Sequence, residues 1–397
     1  MHHVYLKGKV TINRKTLNVF FCALSFLASI MMLILDKMRL NVEANIVFMI
    51  LLSSSVFLYF NGGMKNLKNQ YYLGVIYSIF LLLLLLTIIS GFDFLALSTG
   101  YKFIFFILAS FWVSKVFYNN LSLIVFLSSI FLFVFSIFVL KESGWSLTVK
   151  MMGMFYNPNS LGMILSVGVF LSLFGVVKLK NNYFYIALLI YFTILCLYSN
   201  SRTAIMAPYL SFMSWLIISF FITKRTNKKL TIKSLVDKFL VLLVFLLCVN
   251  NDFMVETTKN TIVSKFESKD DVTSGRVDYI IESLKEVKYF SSSEKSSYLI
   301  VDNTFIALAY DYGLLLACIM VLVCFLTIFI LCSKARRLNN THACMIFASI
   351  INFILYASLE SIRFSPQSML FFIALAFLTV SFNSKEDSLS NDGCIDE

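Results

Sequence analysis

Charge, proline and histidine are all scarce in this sequence. Among 397 residues there are three prolines and three histidines, and only 14% of the residues are charged. A soluble domain carries about a quarter charged residues, so a single soluble globular domain of this length is excluded. The few prolines suit long helices with few kinks, because proline removes a helical hydrogen bond.

Common signatures of soluble enzymes are also missing. The sequence has no Walker loop, no GxGxxG, no HExxH and no CxxC pair. None of the eight cysteines falls in 251–302, the one long polar stretch, so neither a disulfide framework nor a metal cluster is indicated there. His2 and His3 are terminal, and His342 lies in a basic loop that we place in the cytoplasm. We therefore expect no cofactor and no metal.

Apolar residues dominate instead: 59% of the chain is hydrophobic, with 42 phenylalanines. The apolar runs are about 17–25 residues long, enough for a helix to cross roughly 30 Å of hydrocarbon. The first run is too long for a signal-peptide core and has no cleavage pattern, so we keep it as a span. The sequence predicts an all-α polytopic membrane protein with twelve transmembrane helices, at 16–35, 44–61, 71–90, 100–115, 121–140, 159–177, 183–199, 203–223, 239–250, 303–332, 341–358 and 367–383.

The distribution of charge predicts orientation. Short loops on the side of the N-terminus, with both terminal segments, hold 19 lysines and arginines, against 7 in the short loops of the opposite side. Both termini are therefore predicted to be cytoplasmic. The net charge of +11 then reflects topology, so the expected partner is the lipid bilayer and not nucleic acid.

The predicted organisation has four segments. Residues 1–250 hold nine spans, 251–302 form a large extracytoplasmic loop, 303–383 hold three more spans, and 384–397 form a polar tail that we expect to be disordered. Within the loop, apolar residues recur at helical spacing after Arg276, which predicts an amphipathic helix on the outer membrane surface.

Two arginines are the first candidates for function. Arg202 lies at the outer start of the eighth span, and Arg276 follows Gly275 at the predicted start of the surface helix. A guanidinium matches phosphate oxygens, and a helix N-terminus favours anions. The alternatives are a snorkelling arginine for Arg202 and a solvated loop charge for Arg276.

Further candidates surround the point where the long loop re-enters the membrane. Asp302 and Asn303 stand there, with Asp311 further along. If the span begins at Asn303, Asp311 is inside the bilayer, where a lone carboxylate is costly and usually functional. The alternative is that 303–312 is interfacial and both aspartates are hydrated.

Two asparagines and a last arginine complete the candidates. Asn157 and Asn159 flank a proline before the sixth span, where their amides could bind sugar hydroxyls or simply form a turn. Arg363 stands outside the eleventh span, and Glu360 three residues earlier can pair with it structurally.

Four motifs occur in a particular order: F-x-N-P-N-x-x-G, S-x-S-R, S-G-R in the large loop, and D-N followed by D-x-G. Over roughly residues 150–330 this order resembles the family of bacterial O-antigen polymerases and ligases. The resemblance implies a membrane glycosyltransferase acting on undecaprenyl-pyrophosphate-linked glycans outside the cytoplasmic membrane. Arg202 and Arg276 would hold the pyrophosphate, and a chain-length regulator and a flippase of the same pathway are candidate partners.

One departure favours a polymerase of O-antigen or capsular repeat units. Ligases of this family typically carry histidine before the asparagine at re-entry, whereas this chain has Asp302, which we take as the candidate base. The alternatives are an O-antigen ligase that transfers glycan to the lipid A core, a repeat-unit flippase, and an inert assembly scaffold. A flippase is expected to carry charges near the bilayer midplane, and these spans have almost none.

Overall fold

The computed structural model describes residues 14–38, 40–62, 119–145, 154–155, 158–179, 182–199, 201–225 and 340–359, with scattered positions at 113, 116, 281–289 and 305–329. Among these residues the fold is all-helical, with no strand. The seven helices are α1 (Arg14–Lys37), α2 (Asn41–Gly62), α3 (Leu121–Glu142), α4 (Pro158–Lys178), α5 (Asn182–Tyr198), α6 (Arg202–Arg225) and α7 (Asn340–Leu359).

Each of the seven helices coincides with a predicted span, to within three residues at either end. Three stretches are long and apolar enough to cross a membrane: Lys15–Met32, Leu121–Glu142 and Asn159–Lys178. The predicted spans at 71–90, 239–250 and 367–383, nearly all of 100–115, and most of the 251–302 loop lie outside the described residues, as do the proposed segment boundaries. The total of twelve spans therefore stays a prediction.

Serines within these helices are satisfied by the helix itself. The hydroxyls of Ser128 and Ser129 donate to the carbonyls of Ile124 and Val125, each at 2.8 Å. This bond to the preceding turn hides a polar group that hydrocarbon cannot solvate. Serine is thus compatible with apolar helices, and it also links them, since the Ser25 and Ser54 hydroxyls join α1 to α2 at 2.6 Å.

The α4 helix lies at the centre of the described bundle, and every residue from Leu161 to Val176 is buried. It packs against α5 along a face that carries glycines, which have no side chain. A Cβ on Gly168 would lie 2.8 Å from the Phe192 ring, and one on Gly175 would overlap the Tyr185 ring. The residue numbers of these contacts increase along α4 and decrease along α5, so the two helices form an antiparallel hairpin. Small residues at membrane-helix interfaces permit this close approach.

The α6 helix runs in the same direction as α4. Phe170 packs on Phe212 with ring centroids 5.2 Å apart, and eight residues further along α4 the Lys178 ammonium lies 5.9 Å from the Trp215 ring centroid. Trp215 is buried and also packs on Phe347 of α7, with ring centroids 5.9 Å apart. Helices α4 and α6 therefore both begin at one end of the bundle, where α5 ends.

Candidate functional site

The first turn of α4 is built by the asparagine–proline motif. Pro158 is the first residue of the helix, a position where the missing N–H costs nothing and the fixed φ suits the helix. Phe155 anchors the approach, since it is buried and packs against Phe135 of α3 at 6.2 Å. Asn159 and Ser160 are half-buried in the first turn. The motif thus starts a helix, as the turn interpretation predicts.

The start of α6 follows the end of α5 after three residues. Ser199 closes α5, with its buried hydroxyl donating to the Cys196 carbonyl at 2.8 Å. Ser201 precedes the helix, and Arg202 is its first residue. The Ala204 N–H donates back to the Ser201 carbonyl at 3.2 Å. Ser201 therefore occupies the capping position of α6.

These two helix starts touch each other at Gly162. A Cβ built on Gly162 would overlap the Ser201 Cβ, and it would lie 2.7 Å from the Ser201 Oγ and 3.2 Å from the Ala204 Cβ. The glycine that ends the first motif therefore receives the serine of the second, 39 residues later in the sequence. Two of the four motifs in the sequence are therefore in contact.

The Ser201 side chain has no hydrogen-bond partner among the described residues. Only 2% of Ser201 is exposed, and its Oγ is fully covered. At a capping position the hydroxyl ordinarily accepts from the second or third N–H of the helix. Here it does not, and a buried unpaired hydroxyl costs about 1–3 kcal/mol.

The two helix starts at this junction favour a negative charge placed between them. The first N–H groups of α4 and of α6 have no intrahelical acceptor, and each helix start carries about half a positive charge. Pro208 lies one and a half turns into α6 and cannot donate to the carbonyl of Ala204. The first turns of α6 are consequently tied less tightly to the rest of the helix.

Two predicted site residues lie at this junction. Arg202 begins α6, and Asn159 is the second residue of α4. The other six, Asn157, Arg276, Asp302, Asn303, Asp311 and Arg363, lie outside the described residues. The meeting of Arg202 with Arg276 and the role of Asp302 as a base remain predictions.

The span predicted over 303–332 is interrupted. Described positions from 305 to 310 and from 314 to 329 are helical, but Gly313 between them is not, and its φ is +98°. That backbone conformation strongly favours glycine. Beyond the break, the Leu315 N–H donates at 3.4 Å to the carbonyl of Tyr289, a residue of the segment predicted to be the large loop. The predicted span 303–332 is thus divided at Gly313, and Tyr289 contacts it where the second helical piece begins.

Sequence reasoning missed Gly162 and Ser201 as members of the site, although both stand inside the quoted motifs. The available signal was a small residue close to a predicted helix start in each motif. Ser201 stands just before α6, and Gly162 stands in the first turns of α4. Within the described residues no three metal-ligating side chains gather. No protein-family model matches the chain, and no curated protein is significantly similar to it.

Proposed function

We propose that this chain is a membrane glycosyltransferase that polymerises lipid-pyrophosphate-linked oligosaccharide repeat units, as O-antigen and capsule polymerases do. In this proposal it spans the bacterial cytoplasmic membrane twelve times with both termini in the cytoplasm. The site lies on the outer face, where α4 and α6 begin.

The observation that carries the proposal is the contact between Gly162 and Ser201. Through this contact the motifs F-x-N-P-N-x-x-G and S-x-S-R lie next to each other. They are the first two of the four motifs on which the family resemblance rests. Two helix starts and an arginine at one junction suit a diphosphate, because unpaired N–H groups and a guanidinium all bind phosphate oxygens.

The reaction requires a general base for the acceptor hydroxyl and fixed positive charges beside the leaving diphosphate. The bond between the anomeric carbon and the diphosphate oxygen breaks, and that carbon forms a bond to the acceptor hydroxyl oxygen. The acceptor proton passes to the Asp302 carboxylate as general base. The transition state is oxocarbenium-like, and negative charge grows on the departing diphosphate. Arg202 and Arg276 would stabilise that charge where it develops.

The test is complementation of a deletion strain, with the glycan banding pattern as readout. Without the chain we expect one repeat unit per anchor. Arg276→Ala should restore no long polymer, and Arg202→Lys should restore very little, because a point charge lacks the bidentate geometry of guanidinium. Membrane insertion of each variant is checked by immunoblot of the membrane fraction.

Arg225→Lys is the matched control, since Arg225 ends the helix that Arg202 begins and the same substitution there should leave the ladder unchanged. Normal ladders from both site variants would remove both arginines from the site and favour an inert assembly scaffold. Free lipid-linked polymer in the deletion strain would mean a ligase. Repeat units trapped inside the cell would mean a flippase.

A further inference from the structure

The Ser201 hydroxyl differs from every other buried serine in the described part of the chain. All twelve others, at positions 25, 29, 54, 55, 128, 129, 136, 166, 172, 199, 211 and 349, donate to the carbonyl three or four residues earlier. Ser201 stands just before its helix and makes no such bond. The fold has a standard way to satisfy a buried serine, and at this one position it is not used.

The position of the unpaired hydroxyl restricts the kind of group that could form a hydrogen bond with it. It precedes the first turn of α6 and packs against the first helical turns of α4 at Gly162. Both helix starts present N–H donors, and the hydroxyl can add another donor in the same place. A group that accepts several hydrogen bonds at once and carries negative charge suits such a site, which describes a phosphate oxygen.

Gly162 makes this close contact possible. Any side chain at position 162 would collide with the Ser201 Cβ and crowd its Oγ, and it would also lie 3.2 Å from the Ala204 Cβ. The absence of a side chain at Gly162 therefore lets Ser201 pack directly against the first turns of α4, where its hydroxyl is buried.

We propose that Ser201 is a phosphate-binding residue, whose hydroxyl donates a hydrogen bond to an oxygen of a lipid-borne phosphate at the junction of α4 and α6. This deepens the proposed function and rests on it for the source of the phosphate, which would be the diphosphate of the glycan carrier. Approach of the ligand requires a small opening of the first turns of α6, which Pro208 leaves without one backbone bond.

The test uses the purified full chain in a maltoside detergent, which contains no phosphate, and a short polyprenyl diphosphate as probe. Ser201→Ala should weaken binding about tenfold to hundredfold, the range for one hydrogen bond to a charged group. Ser211→Ala is the matched control, because Ser211 is equally buried but donates to the Pro208 carbonyl at 2.6 Å. It should bind the probe as the wild type does.

A competition experiment with the bound probe distinguishes the two possible sources of the phosphate, a phospholipid headgroup and the glycan carrier. If phosphatidylglycerol displaces the probe from wild type as effectively as unlabelled diphosphate does, the site stands as a phospholipid headgroup site. If only diphosphate displaces it, the carrier is the ligand. Wild-type affinity in Ser201→Ala, or no binding by the wild type, overturns the phosphate site.

Failure here can be told from failure of the polymerase. A deletion strain that keeps its normal glycan ladder overturns the polymerase, whatever the binding data show. Normal binding by Ser201→Ala together with a lost ladder in the deletion strain overturns only the role of Ser201. A third readout, the dependence of polymer formation on donor concentration, should show a raised KM in Ser201→Ala, since the bond is made to the donor.

Discussion

The glycines of α4 meet very different neighbours at the start of the helix and further along it. In the middle and the second half, Gly168 and Gly175 each receive an aromatic ring from α5, Phe192 and Tyr185. At the start, Gly162 receives the small polar side chain of Ser201. At all three glycines the absence of a side chain brings helices together, but only at Gly162 is the neighbouring side chain an unsatisfied hydroxyl.

The kind of side chain that a glycine receives distinguishes a packing contact from a candidate binding site. A ring on a glycine fills space with dispersion contacts and leaves no polar atom in need of a partner. A hydroxyl on a glycine gains little from packing and loses its hydration. Close approach of helices therefore explains Gly168 and Gly175 completely, whereas at Gly162 it leaves a cost that a ligand would offset.

Among substitutions inside the bundle, Gly162→Ala should have the largest effect on function. The added methyl group must displace Ser201 and the first turn of α6, so we expect polymer formation to fall more than about tenfold, as for loss of a charged hydrogen bond. Overpacking should also cost about 1–3 kcal/mol of stability. Glycan ladders and thermal unfolding of the same purified variant measure the two effects. Full activity in a folded Gly162→Ala protein would place the functional junction elsewhere.

Gly168→Ala should damage stability but not function. The methyl group would meet the Phe192 ring at 2.8 Å, and overpacking of this kind costs about 1–3 kcal/mol. Adding Phe192→Leu should recover part of the loss by making room. Once the protein is folded, its activity per molecule should match the wild type. An inactive but stable Gly168→Ala protein would contradict the distinction drawn between Gly162 and the two later glycines of α4.

Tyr209→Phe should have the smallest effect. The Tyr209 hydroxyl lies 3.3 Å from the Thr193 Oγ1, a polar contact between α5 and α6 in the middle of the bundle. Such bonds between membrane helices contribute on average about 0.6 kcal/mol. A double-mutant cycle with Thr193→Val, measured by unfolding in detergent, gives the coupling. A coupling of several kcal/mol would mean that this pair, and not Gly162, organises the polar part of the bundle.

The positions of the helices could be predicted from sequence, because run length and hydropathy depend on the membrane and not on tertiary contacts. That is why α4 and α6 begin within one residue of their predicted starts. The break at Gly313 was not predicted as such: Asp311 left open only that 303–312 is interfacial, and the backbone angle of Gly313 locates the interruption. The unpaired state of Ser201 was equally inaccessible, because it depends on Gly162 across a fold that the local pattern does not specify.

The candidate site was predicted in part. Arg202 and Asn159 stand at helix starts that the sequence indicated, and the structure brings those starts together. An approach of residues from the predicted large loop depends on contacts between distant parts of the chain, which local patterns do not specify. Arg276 and Asp302 therefore stay predictions that follow from motif order alone.

Parallel helices in contact place like ends of their peptide dipoles side by side. At the junction of Gly162 and Ser201 the starts of α4 and α6 meet in this way, so their partial positive charges repel each other. An anion bound between the two starts would replace that repulsion with attraction to both. The other end of α4 carries its own compensation, because Lys178 stands in the last turn, where a positive charge offsets the partial negative charge of the helix end.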